Sequence, residues 1–171
     1  MKRTLSLILA LVMALSLAAC GKKDGNADAP ADSLALLTKV WDSYTDDEKF
    51  PAAGGDYETS VDDAPGAFDP SNADNLNFLL TVPTEDASLI DDAASLMHMM
   101  NANTFTCGAL RLTDAGKLDE AAKEIRDYIM AKQWMCGFPD KLIVVSVDNY
   151  LISCFGAEDL VNTFRDKLQA A

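Results

Sequence analysis

Residues 142–155 read LIVVSVDNYLISCF, and this stretch decides the fold. It contains two short runs rich in β-branched and aromatic residues, which are typical of strands. Only Asp148 and Asn149 separate the runs, residues 142–147 and 150–155, and a polar pair in that position predicts a tight hairpin. The stretch therefore predicts two antiparallel neighbouring strands near the end of the chain.

Helices are predicted on both sides of this hairpin. Residues 117–134 carry apolar side chains at three- and four-residue spacing, which predicts a helix that Gly137 and Pro139 end. A shorter helix with the same periodicity is predicted over residues 158–168.

A third strand is predicted over residues 104–112, before the long helix. The crossover from this strand to residues 142–147 should be right-handed, which makes the two parallel, and the hairpin adds an antiparallel strand. The expected fold class is therefore α+β, a small mixed β-sheet packed with helices.

Two further helices are predicted before the third strand. One helix is expected over residues 33–49, and another over residues 84–101, where Thr84 is a good N-cap. The predicted order is an N-terminal helix, then helix, strand, helix, strand, strand, helix.

Between these helices, residues 50–83 are rich in glycine and proline and have no clear period, apart from a short helix near residues 73–80. Long irregular segments often carry function, so this one is a candidate ligand surface. Its aromatic residues could contact a ligand or simply pack the loop; they are Phe50, Tyr57, Phe68 and Phe78.

The first 20 residues have the three parts of an export signal: Lys2 and Arg3, an uncharged run over residues 5–19, and small residues before a cysteine. The segment Leu17-Ala18-Ala19-Cys20 resembles the bacterial lipobox. The resemblance implies a signal peptide at residues 1–19, a diacylglyceryl thioether on Cys20, and a protein anchored to the cell membrane outside the cytoplasm. Two acyl chains are enough for stable anchoring.

Residues 20–31 are small, polar and contain glycine and proline, so we expect a flexible tether behind the lipid. Residues 32–171 are long enough for one domain with its own hydrophobic core.

The order of elements in residues 85–171 resembles a family of small lipoproteins from Gram-positive gut bacteria whose domain has no assigned function. The resemblance lies in Ala109-Leu110-Arg111-Leu112, the long helix, residues 142–147 and Asn149-Tyr150-Leu151-Ile152. It implies an α+β fold and an extracytoplasmic address, and it implies no activity.

The chain carries 27 acidic and 14 basic residues, a formal net charge of −13. So acidic a protein is a poor partner for nucleic acid, which is bound by basic patches. The expected partners are the membrane, through the lipid, and an unidentified protein or small-molecule ligand. Acidic surfaces usually serve solubility, and the alternative is attraction of a cationic ligand or metal ion.

Three cysteines remain beyond Cys20: Cys107, Cys136 and Cys154. A strand of about 30 Å followed by a helix of about 27 Å returns the chain to its starting edge, which brings Cys136 toward Cys107. We therefore expect a Cys107–Cys136 disulfide. Cys154 should lie at the same edge and could compete, and three buried thiols are the other alternative.

The sequence predicts no metal site and no cofactor. Met97, His98, Met99 and Met100 are soft ligand types, but consecutive helical residues point in different directions. With one histidine and no complete catalytic motif, the chain favours a non-enzymatic binding or accessory module. The alternative is an extracytoplasmic protein that handles metal or redox chemistry through its Met, His and Cys residues.

Overall fold

The computed structural model describes residues 30–171, so the predicted signal peptide, Cys20 and most of the predicted tether lie outside the described residues. The helices are α1 (Ser33–Asp42), α2 (Ala73–Leu80), α3 (Leu118–Ala131) and α4 (Glu158–Ala170). The strands are β1 (Ala52–Gly54), β2 (Val61–Asp62), β3 (Gly66–Phe68), β4 (Ile90–His98), β5 (Phe105–Leu112), β6 (Lys141–Val147) and β7 (Tyr150–Gly156). Within residues 30–171, no helix has the length and apolar character needed to cross a membrane.

The seven strands form one sheet in the order β2-β1-β4-β5-β7-β6, with β3 also paired to β4. This confirms the predicted α+β class. The sheet is antiparallel in every described pair, however, and not mixed as the sequence predicted.

The sheet is antiparallel throughout because of the position of β7. Strands β5 and β6 do run parallel, as the crossover argument required, but β7 lies between them and pairs with both. Strand β7 is buried along its whole length whereas β6 is largely half-buried or exposed. The strand of the hairpin that is buried at every position thus takes the interior position.

The predicted helix over residues 84–101 is wrong, because residues 90–98 form strand β4. The run Ala93-Ala94-Ser95-Leu96 is buried on both faces of the sheet, so it has no polar alternation to reveal a strand. Its small and unbranched residues favour a helix, and tertiary packing overrides that preference. Helix α1 also ends earlier than predicted, at Asp42, where Ser43 begins a turn.

Each face of the sheet is covered by two helices, which makes three layers. Helices α1 and α4 cover one face, where the core consists mainly of Leu36, Leu37, Val40, Trp41, Phe105, Cys107, Ile152, Cys154, Val161 and Phe164. Helices α2 and α3 cover the other face, where the core consists mainly of Leu76, Leu80, Leu110, Ile125, Ile129, Leu151 and Phe155.

The segment predicted to be irregular contains strands β1 to β3 and is organised by Asp56, whose side chain is buried. Its Oδ1 accepts hydrogen bonds from the N–H of Glu58 and from the N–H and hydroxyl of Thr59, each at 2.9 Å. Its Oδ2 accepts one from the Asp69 N–H at 3.1 Å. Burial raises the pKa of Asp56, but these hydrogen bonds outweigh it, and the pKa lies below the ordinary value.

We expect Asp56→Ala to lower the free energy of unfolding by about 2–4 kcal/mol, because it removes the four hydrogen bonds that the buried carboxylate accepts. Asp62→Ala, an exposed position on β2, is the control and should change stability by less than about 0.5 kcal/mol. Urea denaturation at pH 7 measures both. A loss at Asp56 no larger than at Asp62 would contradict this role.

Candidate functional site

The candidate site lies on the outer surface of the layer formed by α2 and α3. It has two adjoining parts, an acidic pocket and an aromatic groove. The acidic pocket has a volume of about 240 Å3 and is lined by Pro83, Glu85, Asp86, Glu124, Asp127 and Tyr128. Four of these six residues carry a carboxyl group, so the pocket has a negative potential.

Asp86 is the central residue of the acidic pocket. It is only 5% exposed, and its Oδ2 accepts no hydrogen bond from residues 30–171. Burial raises the pKa of Asp86 to about 6, with further contributions from the facing carboxyl of Glu124 and from Glu85 and Glu120. Two carboxyl groups in contact can form a hydrogen bond only when one of them holds a proton. At neutral pH the pocket therefore holds a buried carboxylate without a donor.

The aromatic groove has a volume of about 390 Å3 and lies between α2, the end of α3 and the turn after β4. Its lining residues are Asn77, Phe78, Ala102, Asn103, Lys132, Gln133, Trp134, Met135 and Cys136. Phe78 is 70% exposed and Met135 is 99% exposed, although both are large apolar side chains. Tyr57 extends this surface, with its ring centroid 6.1 Å from that of Phe78.

A hydrogen bond joins the two parts of the site. The amide Nδ2 of Asn77, which lines the aromatic groove, donates to the Tyr128 hydroxyl at 2.8 Å. Tyr128 in turn lines the acidic pocket. The same amide donates to the Val82 carbonyl at 2.9 Å. Asn77 and Tyr128 therefore form the common border of the pocket and the groove, which together make one continuous face.

The end of α2 shapes this border. Its C-cap residue Thr81 has a φ of 56°, a left-handed conformation that is uncommon for a residue other than glycine. This turn directs the following residues toward α3 and brings Asp86 against Glu124. Thr81 is held there by the ammonium of Lys132, which donates to its hydroxyl at 3.0 Å.

Lys132 and Trp134 form the floor of the groove near α3. The Lys132 ammonium lies 5.0 Å from the centre of the Trp134 ring, and burial lowers the pKa of Lys132. The Trp134 indole N–H donates to the Ile129 carbonyl at 3.2 Å, and its ring packs on Phe155. These contacts fix the apolar floor before any ligand arrives.

Of the four aromatic residues predicted as contacts in residues 50–83, two belong to the surface and two to the core. Tyr57 and Phe78 are exposed at the candidate site. Phe68 is buried, and Phe50 packs against the core beside α1. The loop-packing alternative thus holds for half of the set.

Cys107 and Cys136, which the sequence predicts to form a disulfide, are not bonded to each other in the structure. Cys107 and Cys154 are buried and face each other across β5 and β7, whereas Cys136 is exposed and lines the aromatic groove. All three are free thiols here, so the expected Cys107–Cys136 disulfide is absent. The geometric reason is that α3 ends at the surface of its layer, away from the opposite face of β5 that holds Cys107.

The Met-His-Met-Met run lies at the end of β4 and in the turn beyond it. His98 stacks on Phe50 with ring centroids 5.3 Å apart, and its Nδ1 accepts a hydrogen bond from the Met100 N–H at 3.0 Å. Met99 and Met100 are exposed. Among the residues that the structure describes, no three His, Cys, Asp or Glu side chains are grouped to hold a metal ion.

Asp86, Glu124 and Asn77 were missed by reasoning from the sequence. Glu120, Glu124 and Asp127 follow one another at four- and three-residue spacing, so the acidic stripe on α3 was visible in the sequence. The sequence predicts Asp86 in a helix, but in the structure this residue lies in a turn. Its contact with Glu124 depends on the three-layer topology, which local sequence does not reveal.

Comparisons with known proteins do not assign this face. No protein-family model matches the chain, and neither the curated proteins nor the solved structures contain a match.

We expect Asp86→Asn to stabilise the protein at pH 7.5 and not at pH 4. The folded state holds the Asp86 proton up to about pH 6, whereas the unfolded chain loses it near pH 3.8, so ionisation of Asp86 costs stability as pH rises through that range. The gain at pH 7.5 should be on the order of 1–2 kcal/mol after allowing for solvent screening.

Chemical denaturation at the two pH values measures this gain, with Asp62→Asn, an exposed position outside the pocket, as the matched control. An equal effect of Asp86→Asn at both pH values would show that the carboxylate is not under electrostatic strain.

Proposed function

We propose that this protein is a membrane-anchored extracytoplasmic lipoprotein that acts as a non-enzymatic binding module. Its ligand is a peptide segment with a basic side chain next to an apolar one. The observation that carries the proposal is the hydrogen bond from Asn77 to Tyr128, because it makes the acidic pocket and the aromatic groove one surface.

The acidic pocket supplies the charge complementarity. Asp86 is buried without a donor, and a ligand ammonium or guanidinium would supply the missing hydrogen bonds and neutralise the repulsion from Glu124. A cation in this pocket would therefore relieve a cost that the free protein carries.

The aromatic groove supplies the apolar contact. Exposed aromatic and methionine side chains that lie together commonly mark interaction surfaces, and methionine adapts to varied ligand shapes. Lys132 lies in the same groove, and its ammonium has donors to spare for peptide carbonyl groups.

The position of Pro30 is compatible with an anchor at the preceding residues. The Tyr150 hydroxyl donates to the Pro30 carbonyl at 3.2 Å, and Tyr150 belongs to the core on the α1 and α4 side of the sheet. A lipid tether that enters here would leave the candidate face, on the α2 and α3 side, directed away from its point of attachment.

Binding is tested with the full-length chain in detergent micelles and a blocked peptide that carries one lysine between two leucines. The matched peptide has norleucine in place of lysine. We expect the lysine peptide to bind at least tenfold more tightly, and Asp86→Asn and Phe78→Ala each to weaken its binding by about tenfold. Affinity should be higher at pH 7.5 than at pH 5, because Asp86 is protonated below about pH 6.

Asp62→Asn is the control for the acidic substitution, since this carboxyl is exposed on β2, outside the lining of the candidate face. Isothermal titration calorimetry gives each Kd. Equal affinity for the lysine and norleucine peptides, or equal loss from Asp62→Asn and Asp86→Asn, would exclude the acidic pocket as the binding site.

The anchor is tested separately by growing an expressing bacterium with labelled palmitate. We expect label on the wild-type chain and none on Cys20→Ser, because the predicted thioether forms only on that sulfur. Unlabelled wild-type protein, or label that survives Cys20→Ser, would overturn the proposed anchoring.

A further inference from the structure

Cys107 and Cys154 occupy directly opposite positions on the two central strands. Two hydrogen bonds continue this register at its ends, from the Ala157 N–H to the Thr104 carbonyl at 2.9 Å and from the Leu112 N–H to the Asn149 carbonyl at 3.3 Å. Bonded and non-bonded pairs alternate along an antiparallel ladder. Because Cys107 is an odd number of residues from both Thr104 and Leu112, its pair with Cys154 is of the non-hydrogen-bonded kind.

This type of pair has the spacing that a disulfide needs. Its Cα atoms lie about 4.5 Å apart and its side chains are closer than in the bonded kind. Disulfides are found at Cα separations of about 4.4–6.8 Å. Burial raises the pKa of the Cys154 thiol, and the facing Cys107 thiol raises it further.

The surroundings of the pair are apolar and closed. Both cysteines have no exposed surface, and they lie in the core beneath α1 and α4 with Phe105 and Phe164. The Tyr44 hydroxyl faces them from α1's end and is buried without a hydrogen-bond partner in residues 30–171. Cys136, in contrast, is exposed on the surface.

We propose that Cys107 and Cys154 are a redox modification site, which becomes a cross-strand disulfide when the chain folds outside the cytoplasm. Two S–H bonds break and one S–S bond forms in this protein, while the S–S bond of an exported thiol oxidoreductase breaks and takes up the two electrons and two protons to become a dithiol. The location rests on the proposed function, whereas the pairing rests on the sheet register alone. Exchange takes place before the sheet closes, since the folded core excludes reagents from both sulfurs.

The bridge would join β5 to β7 and close a long loop that contains α3 and β6. A covalent link across so long a loop restricts mainly the unfolded chain. We expect the oxidised protein to melt on the order of 10 °C above the reduced protein.

The test uses the full-length chain unfolded in denaturant and refolded in a buffer of oxidised and reduced glutathione, where oxidised glutathione takes the two electrons. The product is denatured without reductant, alkylated with N-ethylmaleimide, digested and mapped by mass spectrometry. We expect the peptides that contain Cys107 and Cys154 to be linked and Cys136 to be alkylated. Cys136→Ser should keep the link and its reductant-sensitive melting temperature, and Cys154→Ala should lose both.

If Cys107 and Cys154 are both alkylated without reduction, or if either is linked to Cys136, the proposal is overturned. The Cys136→Ser protein shows whether Cys107 and Cys154 are linked even if Cys154→Ala does not fold. The refolding experiment does not depend on export. A Cys107–Cys154 link in a chain that palmitate does not label would therefore refute the proposed anchor and still support the proposed disulfide.

Discussion

Burial of both faces of β5 and β7 is the constraint on which the rest of the structure depends. Strand β7 is buried at every position, and β5 at all but Arg111. Such strands need a helical layer on each side, and the chain supplies α1 and α4 on one side and α2 and α3 on the other. Close packing also demands small residues: a Cβ added at Gly156 would clash with the Thr104 carbonyl oxygen.

The candidate face is a consequence of this layering. Helices α2 and α3 bury their apolar sides against the sheet, which leaves their edges and the turn at Thr81 to form the acidic pocket and the aromatic groove. The pocket holds a carboxylate with a raised pKa and no donor, an arrangement that costs folding stability. Natural proteins retain such costs most often where binding needs them, and the proposed basic ligand would offset this one.

Local sequence predicted the elements with clear signals. The Asp148–Asn149 hairpin, helix α3 with its apolar stripe, and the short helix at residues 73–80 all lie where their patterns placed them. Strand β4 was missed because a strand buried on both faces has the composition of a buried helix. The central position of β7 could not be read locally, since it depends on which strand of the hairpin buries more surface.

The candidate site was less predictable than the fold, because it depends on tertiary contacts that local sequence does not reveal. The acidic stripe on α3 follows helical spacing, but its contact with Asp86 and the hydrogen bond between Asn77 and Tyr128 join segments that are far apart in sequence. The cysteine pairing was misjudged because strand and helix lengths locate an edge of the sheet but not the face on which a side chain lies. Cys107 is on the α1 and α4 face, while α3 packs on the other.

The claim that pocket and groove act as one binding face is tested most directly by an amide NMR titration of the full-length chain in micelles with the lysine-containing peptide. The account predicts that signals from residues 77–86 and 124–136 shift together along a single saturation curve. Shifts confined to one of the two segments, two different saturation curves, or shifts located on α1 and α4 would contradict it.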